Sequence, residues 1–173
     1  MDPMAFTFRT ATDADATGLV ALVNDAFEIE ADTLTGDRIA LPDVMERLER
    51  GSFLVCDAES GGIAGCVYVE LRGETGYLGL VSVAKARQSS GLGRDLMAAA
   101  EGWLHEAGCS VCQLWVLSSR PELLAWYGRR GYRVVRKEPF EAVNPPPTRK
   151  PLRPVHFEIM ERDLTPLDAA KAR

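Results

Sequence analysis

The chain has 173 residues, 46% of them apolar and 26% charged, with a net charge of -5. That length suits one domain with a substantial core, and the composition is globular rather than disordered. No apolar run approaches the ~20 residues of a membrane helix, and net acidity argues against nucleic acid, whose phosphates are gripped mainly by Lys and Arg.

The start, Met1-Asp2-Pro3-Met4, lacks the basic and apolar stretches of a secretion signal. The expectation is a cytoplasmic protein with no membrane association. It is read as a single domain over 1–173, its core over about 6–162 and a frayed tail over 163–173.

Phe6 to Arg9 reads as a short opening strand, and Thr12 with Asp15 fits a capping box for the helix that follows. Leu19, Leu22, Val23 and Phe27 give that helix one apolar face. Pro42 opens a second helix, where its missing N–H costs nothing; Val44, Met45 and Leu48 form its stripe and Gly51 ends it. Three strands follow as an antiparallel meander: Ser52 to Cys56, Ile63 to Leu71 and Tyr77 to Val83. Turns at Glu59 to Gly62 and Arg72 to Gly76 separate them.

A helix comes next, with Leu92, Leu96, Ala99, Ala100, Trp103, Leu104 and Ala107 buried and Gly108 as its stop. Val111 to Leu117 returns as a strand parallel to the third, because a helix intervenes. A short helix over Pro121 to Arg130 precedes a strand over Tyr132 to Arg136. The segment Asn144 to Pro154 is too rich in proline for a helix or sheet interior and reads as a crossing loop. Val155 to Met160 supplies the last strand, which could pair with a second chain; monomer and homodimer are both open.

Four cysteines stand at 56, 66, 109 and 112. Cys109-Ser-Val-Cys112 has metal-ligand spacing but no matching second pair, so all four read as small buried hydrophobes and no metal is expected. Residues 1–60 hold 13 acids against 4 arginines, and the remaining residues hold 12 acids against 16 bases. An acidic front would suit a cationic acceptor and a basic back a phosphorylated cofactor. A solvated helix surface would give the same count.

The stretch from Val81 to Arg94 carries the chemistry. It lies between a strand and a helix, where free N–H groups and a partial positive charge seat phosphate. Gly91 and Gly93 let a diphosphate approach the backbone; Gln88, Ser89 and Ser90 add donors and Arg94 adds charge. A nucleoside-triphosphate loop would need a lysine after a glycine, and a dinucleotide fingerprint a small residue where Leu96 stands.

Gln88-Ser-Ser-Gly91-Leu-Gly93 resembles the cofactor element of the GNAT superfamily of N-acetyltransferases, Gln/Arg-x-x-Gly-x-Gly/Ala, preceded as in the family by a strand ending at Val83. Lys85 stands where the family often has proline. The helix, Gly108, the apolar strand and the Leu124-Ala-Trp-Tyr127-Gly-Arg-Arg-Gly131-Tyr132 segment follow in family order, so the resemblance covers most of 6–137. It implies the GNAT fold, an α/β protein of α+β type with a mixed sheet of six to seven strands and about four helices.

The resemblance also implies acetyl-CoA as acyl donor and transfer to a primary amine of a small molecule, peptide or protein. Amides from Gln88 through Leu92 to Gly93, with Arg94 nearby, would hold its diphosphate, and the backbone of Val81 and Val83 its pantetheine arm. Arg120 stands where an asparagine commonly touches the cofactor. Tyr127 matches the family's general acid toward sulfur. Removing a proton from a lysine-like amine at pH 7 costs about 4.6 kcal/mol, so a base or ordered water is worth having. The strand before the loop, Gly76-Tyr77-Leu78-Gly79, lacks the glutamate often found there. Glu28 is therefore the base candidate, with Glu30, Glu70, Glu74 and His156 nearby in the reading. A catalytically silent acyl-CoA sensor is the alternative.

Overall fold

The computed structural model describes residues 5–164. Seven strands form one mixed sheet: β1 Arg9–Thr10, β2 Ser52–Asp57, β3 Ile63–Arg72, β4 Thr75–Val83, β5 Val111–Leu117, β6 Arg133–Pro139 and β7 His156–Asp163, in the order β1-β2-β3-β4-β5-β7-β6. Four helices flank it: α1 Ala16–Ala26, α2 Leu41–Arg50, α3 Leu92–Glu106 and α4 Pro121–Arg129.

The first three helices are where their apolar spacing predicts, and α4 starts at Pro121 as expected. Leu19, Val23 and Val44 of α1 and α2 are fully buried against Phe53, Val55 and Tyr68 on one sheet face. Leu92, Leu96, Met97 and Leu104 of α3 are buried with Val67, Val69, Leu78 and Cys112 on the other. Fully burying each such aliphatic side chain contributes about 1.5–3 kcal/mol. The two faces therefore hold the sheet between two independent cores.

Several boundaries move. β1 is Arg9–Thr10 rather than Phe6 to Arg9, because those residues pair with β2, opposite Val55 and Leu54. β4 begins at Thr75, paired with Arg72 across a tighter turn than expected. β6 extends to Pro139 because β7 pairs with it as far as His156. Asp163, assigned to a frayed tail, is the end of β7 and lies opposite Val111; the rest of that tail, 165–173, lies outside the described residues. β7 runs between β5 and β6, so both its edges are occupied and it cannot offer itself to a second chain as suggested.

Two features open the sheet. β4 and β5 pair in parallel only through Thr75, Gly76 and Tyr77 opposite Val111, Cys112 and Gln113, and then separate. Between Cys66↔Ser82 and Tyr68↔Gly79, β4 also carries one residue more than β3. This bulge centres on Leu80, which takes a left-handed φ of 53°. A bulge sharpens local twist and slips side-chain alternation by one place. Tyr77 and Leu80 thus join the α1/α2 core, while Val81 and Val83 face the α3 side.

Candidate active site

A cleft of about 1110 Å3 fills the gap between the parting strands. Its walls include Tyr77, Gly79, Val81 and Val83 of β4, Trp115 to Leu117 of β5, Gln88, Ser89 and Gly93 of the loop, and Trp126 and Tyr127 of α4.

In the loop, a one-turn 3-10 helix, Lys85–Arg87, leads into Ser89 at φ 63° and Gly91 at φ 87°. The Ser90 N–H bonds Arg87 O and the Asp95 N–H bonds Gly91 O. The Ser90 hydroxyl donates to Arg87 O and accepts the Leu92 N–H at 3.4 Å. Among the described residues, the amides of Ser89, Gly91, Gly93 and Arg94 donate to nothing. Four orphan donors at the start of a fifteen-residue helix form a seat for an anion.

Beyond the loop, Ala84 N donates to Ala64 O of β3, and Ser82 pairs with Cys66. Alternation along the strand turns the peptide groups of Val81 and Val83 the other way, toward the side that β5 has left. An extended ligand lying there could bond them as an added strand would.

Of the other loop residues, Leu92 is buried in the core and contributes main chain only. Arg94 is exposed beside Asp95 at 3.2 Å, and neither it nor Ser90 lines the cleft.

Tyr127 reaches the cleft from α4, its ring 5.0 Å from that of Trp126 and 5.9 Å from that of Tyr132. Its hydroxyl has no hydrogen-bond partner among the described residues and is not sealed in the interior. Burial raises its pKa, against a smaller opposing effect of Arg120, so it stays protonated through neutral pH. Tyr77, which sequence reasoning passed over, faces the same space; its hydroxyl lies so close over Gly79 that a Cβ there would stand 2.6 Å away.

The carboxylates are distributed differently from the expectation. Glu28 is exposed, bonded to Lys85 at 3.1 Å, and outside the cleft wall. Glu30, two residues on, is buried in that wall, accepting from Arg149 at 2.8 Å and Arg120 at 3.2 Å. Arg120, in the place of the family's asparagine, is thus held by Glu30 and by Glu122. Glu70 also lines the cleft. Burial pushes its pKa up, but hydrogen bonds from Tyr68 and Arg72 outweigh that and leave it below the ordinary value. Glu74 closes the turn before β4, its carbonyl accepting from Ser110 at 2.9 Å, and is not in the wall. His156 bonds Glu158 at 2.9 Å, while its neighbour Phe157 faces the cleft.

All four cysteines are buried and free. Burial pushes the Cys112 thiol up to about 12, which disfavours the thiolate that metal binding requires. Among the described residues no group of three or more His, Cys, Asp or Glu could hold a metal ion, and no helix is long and apolar enough to cross a membrane.

The fold is shared with known proteins. The chain superposes on the ribosomal-protein-alanine N-acetyltransferase of Brucella melitensis with a TM-score of 0.69 at 22% identity, over 91% of this chain and 99% of that one. The ribosomal-protein-S18-alanine N-acetyltransferase of Escherichia coli gives 0.72 at 15% identity, over 94% and 96%. A GNAT-family acetyltransferase of Staphylococcus aureus gives 0.70 at 15%, over 93% and 100%. At these identities the likeness is one of fold. The sequence profile of the Acetyltransferase (GNAT) family matches residues 18–132, which takes in β4, the loop from Gln88 to Gly93, α3, β5 and Tyr127. The chain belongs to the GNAT family of acetyltransferases.

Proposed function

We propose that this protein transfers the acetyl group of acetyl-CoA directly to a primary amine, both substrates meeting in the cleft between β4 and β5. One observation carries the reading: unbonded amides at Ser89 and Gly93, with those of Gly91 and Arg94 beside them, border the cleft that also holds the free hydroxyl of Tyr127.

In this reading those amides bind the diphosphate, with Gln88 beside them and the Arg94 charge near the first turn. Val81 and Val83 pair with the amide-bearing arm. Acetyl-CoA supplies the thioester; a C–N bond forms as the C–S bond breaks. Tyr127 gives its proton to the departing sulfur, a role suited by a hydroxyl that burial keeps protonated. Holding both reactants in one cleft removes the entropy of their encounter.

The proton on the amine leaves through water in the cleft. Glu28 lies beside Lys85 at the surface, so it can serve only as the far end of such a chain. Thiol release on mixing with acetyl-CoA and a panel of primary amines is the direct test. Tight binding with no thiol released by any amine would overturn the enzyme reading in favour of a sensor, and no binding of acetyl-CoA would remove the cleft from the argument.

A further inference from the structure

We propose that the acceptor amine also carries a carboxylate, and that Arg38 receives it. The proposal rests on the acetyl-transfer reading for the word acceptor, but the anion site stands on the cleft itself.

The acid-rich first third of the sequence does not become an acidic pocket. Three of its four arginines, Arg38, Arg47 and Arg50, line the cleft, whose wall holds seven arginines against five carboxylates in all. The carboxylates are engaged. Glu30 holds Arg120 and Arg149; Glu70 holds Arg50 and Arg72. Glu46 pairs with Arg50, Glu122 with Arg120, and Asp43 accepts from the Ala40 N–H.

Among the described residues, three arginines of that wall, Arg38, Arg47 and Arg129, make no hydrogen bond or ion pair. Arg129 is exposed and Arg47 lies over the Tyr68 ring of the core, whereas the half-buried Arg38 guanidinium lies over the Phe27 ring of the cleft wall, 5.4 Å from the centroid. Burial lowers its pKa, and Arg149 and Arg47 lower it further against opposing effects of Tyr77 and Glu30. A half-buried cation among other cations lacks the counter-charge such a position requires. A planar guanidinium fork supplies the strongest geometry for a carboxylate. Phe27, Leu34, Trp115 and Phe157 give the same space apolar walls. Tyr77 lines the same cleft as Arg38 and Tyr127. The ligand that fits is amino-acid-like: an anion at Arg38, an apolar body against the rings, and a nitrogen toward Tyr127.

The test separates the anion site from turnover. On protein saturated with coenzyme A, calorimetry compares 3-phenylpropanoate, its neutral carboxamide and 2-phenylethylphosphonate. The carboxylate is expected to bind about tenfold more tightly than the amide or better, Arg38→Gln to erase that difference, and Arg38→Lys to keep part of it. Equal affinity of acid and amide, or discrimination that survives Arg38→Gln, overturns the proposal. So does a phosphonate that binds better than the carboxylate. If thiol release fails with L-phenylalanine, its amide and phenethylamine alike while the Arg38-dependent anion binding persists, acetyl transfer falls and the anion site remains.

Discussion

Arg149, carried by the proline-rich crossing, donates through Nη2 to Oε2 of Glu30 at 2.8 Å, across 119 residues of sequence. The other Glu30 oxygen accepts from Arg120 at 3.2 Å. One buried carboxylate therefore ties the crossing loop and the start of α4 to the segment after α1. The bridge Leu34↔Pro151, with Thr35 N donating to Lys150 O at 2.9 Å, continues the same seam. Glu30→Ala would leave the buried Arg149 guanidinium without a carboxylate and Arg120 with Glu122 alone. We expect a loss of about 3 kcal/mol, the low end for breaking a buried ion pair, read from the urea midpoint at unchanged slope. Unaltered stability would mean that water already neutralises the group.

Much of this fold was legible in the sequence, and the reason is periodicity. Leu19 with Val23, and Leu92 with Leu96, mark helix faces because one side of each is buried. The loop was legible because few residue types permit a left-handed turn that exposes amides. The remainder depends on contacts between distant segments. Arg38 and Arg149 sit in loops with no repeating pattern, and only folding brings them to Phe27 and Glu30 in the cleft wall. Glu28 and Glu30 are equivalent as sequence, yet a 3-10 turn over Glu28–Glu30 sends one to solvent and the other inward. Charge counting has the same limit: it records where residues lie along the chain, not which are already paired.

The two loop glycines are expected to behave differently. At Gly91, φ is 87° and an added Cβ would stand 3.0 Å from Arg94 Nη2. At Gly93, φ lies outside that region and a Cβ would meet Val83 and Trp126 at 3.8 and 3.9 Å, ordinary contact. Gly93→Ala should leave coenzyme A affinity within about twofold, a change of less than ~0.5 kcal/mol. Gly91→Glu adds backbone strain of about 1–2 kcal/mol and sets a carboxylate in the phosphate seat. Its affinity should fall by about 100-fold or more, ~2.8 kcal/mol, while the circular dichroism spectrum is kept. Calorimetric titration of both variants decides; equal affinities would exclude the loop from binding.

Tyr127→Phe isolates the hydroxyl, because the ring still packs between Trp126 and Tyr132. Loss of a general acid lowers turnover by about 100-fold or more, and acetyl-CoA affinity should not follow. The raised pKa fixes the pH behaviour as well. A phenol that burial keeps protonated holds its acid form to higher pH than a free tyrosine. Wild-type kcat should show no fall assignable to Tyr127 between about pH 7 and 10. A kcat unchanged by the substitution would reduce Tyr127 to a packing residue.

The last expectation concerns stability, at an edge of the sheet away from the cleft between β4 and β5. Arg9, on edge strand β1, bonds Asp15 at 2.8 Å and Asp57 at 2.8 Å, fastening the approach to α1 onto β2. The hydrogen bond from Arg9 lowers the Asp15 pKa from 3.8 to about 2, with burial opposing and the Thr12 N–H assisting. Between these values the unfolded chain binds more protons than the folded one, so stability falls as pH falls. The contribution is complete above about pH 4 and lost by about pH 2. Because the Arg9 side chain is 41% exposed, water screens the pair, and about 1 kcal/mol is a fair size rather than the full linkage value. Asp15→Asn should therefore cost about 1 kcal/mol at pH 7 and flatten the stability curve between about pH 4 and 2. Urea melts of both proteins across that range would show it. Parallel curves for the variant and the parent would mean that Asp57 alone satisfies Arg9.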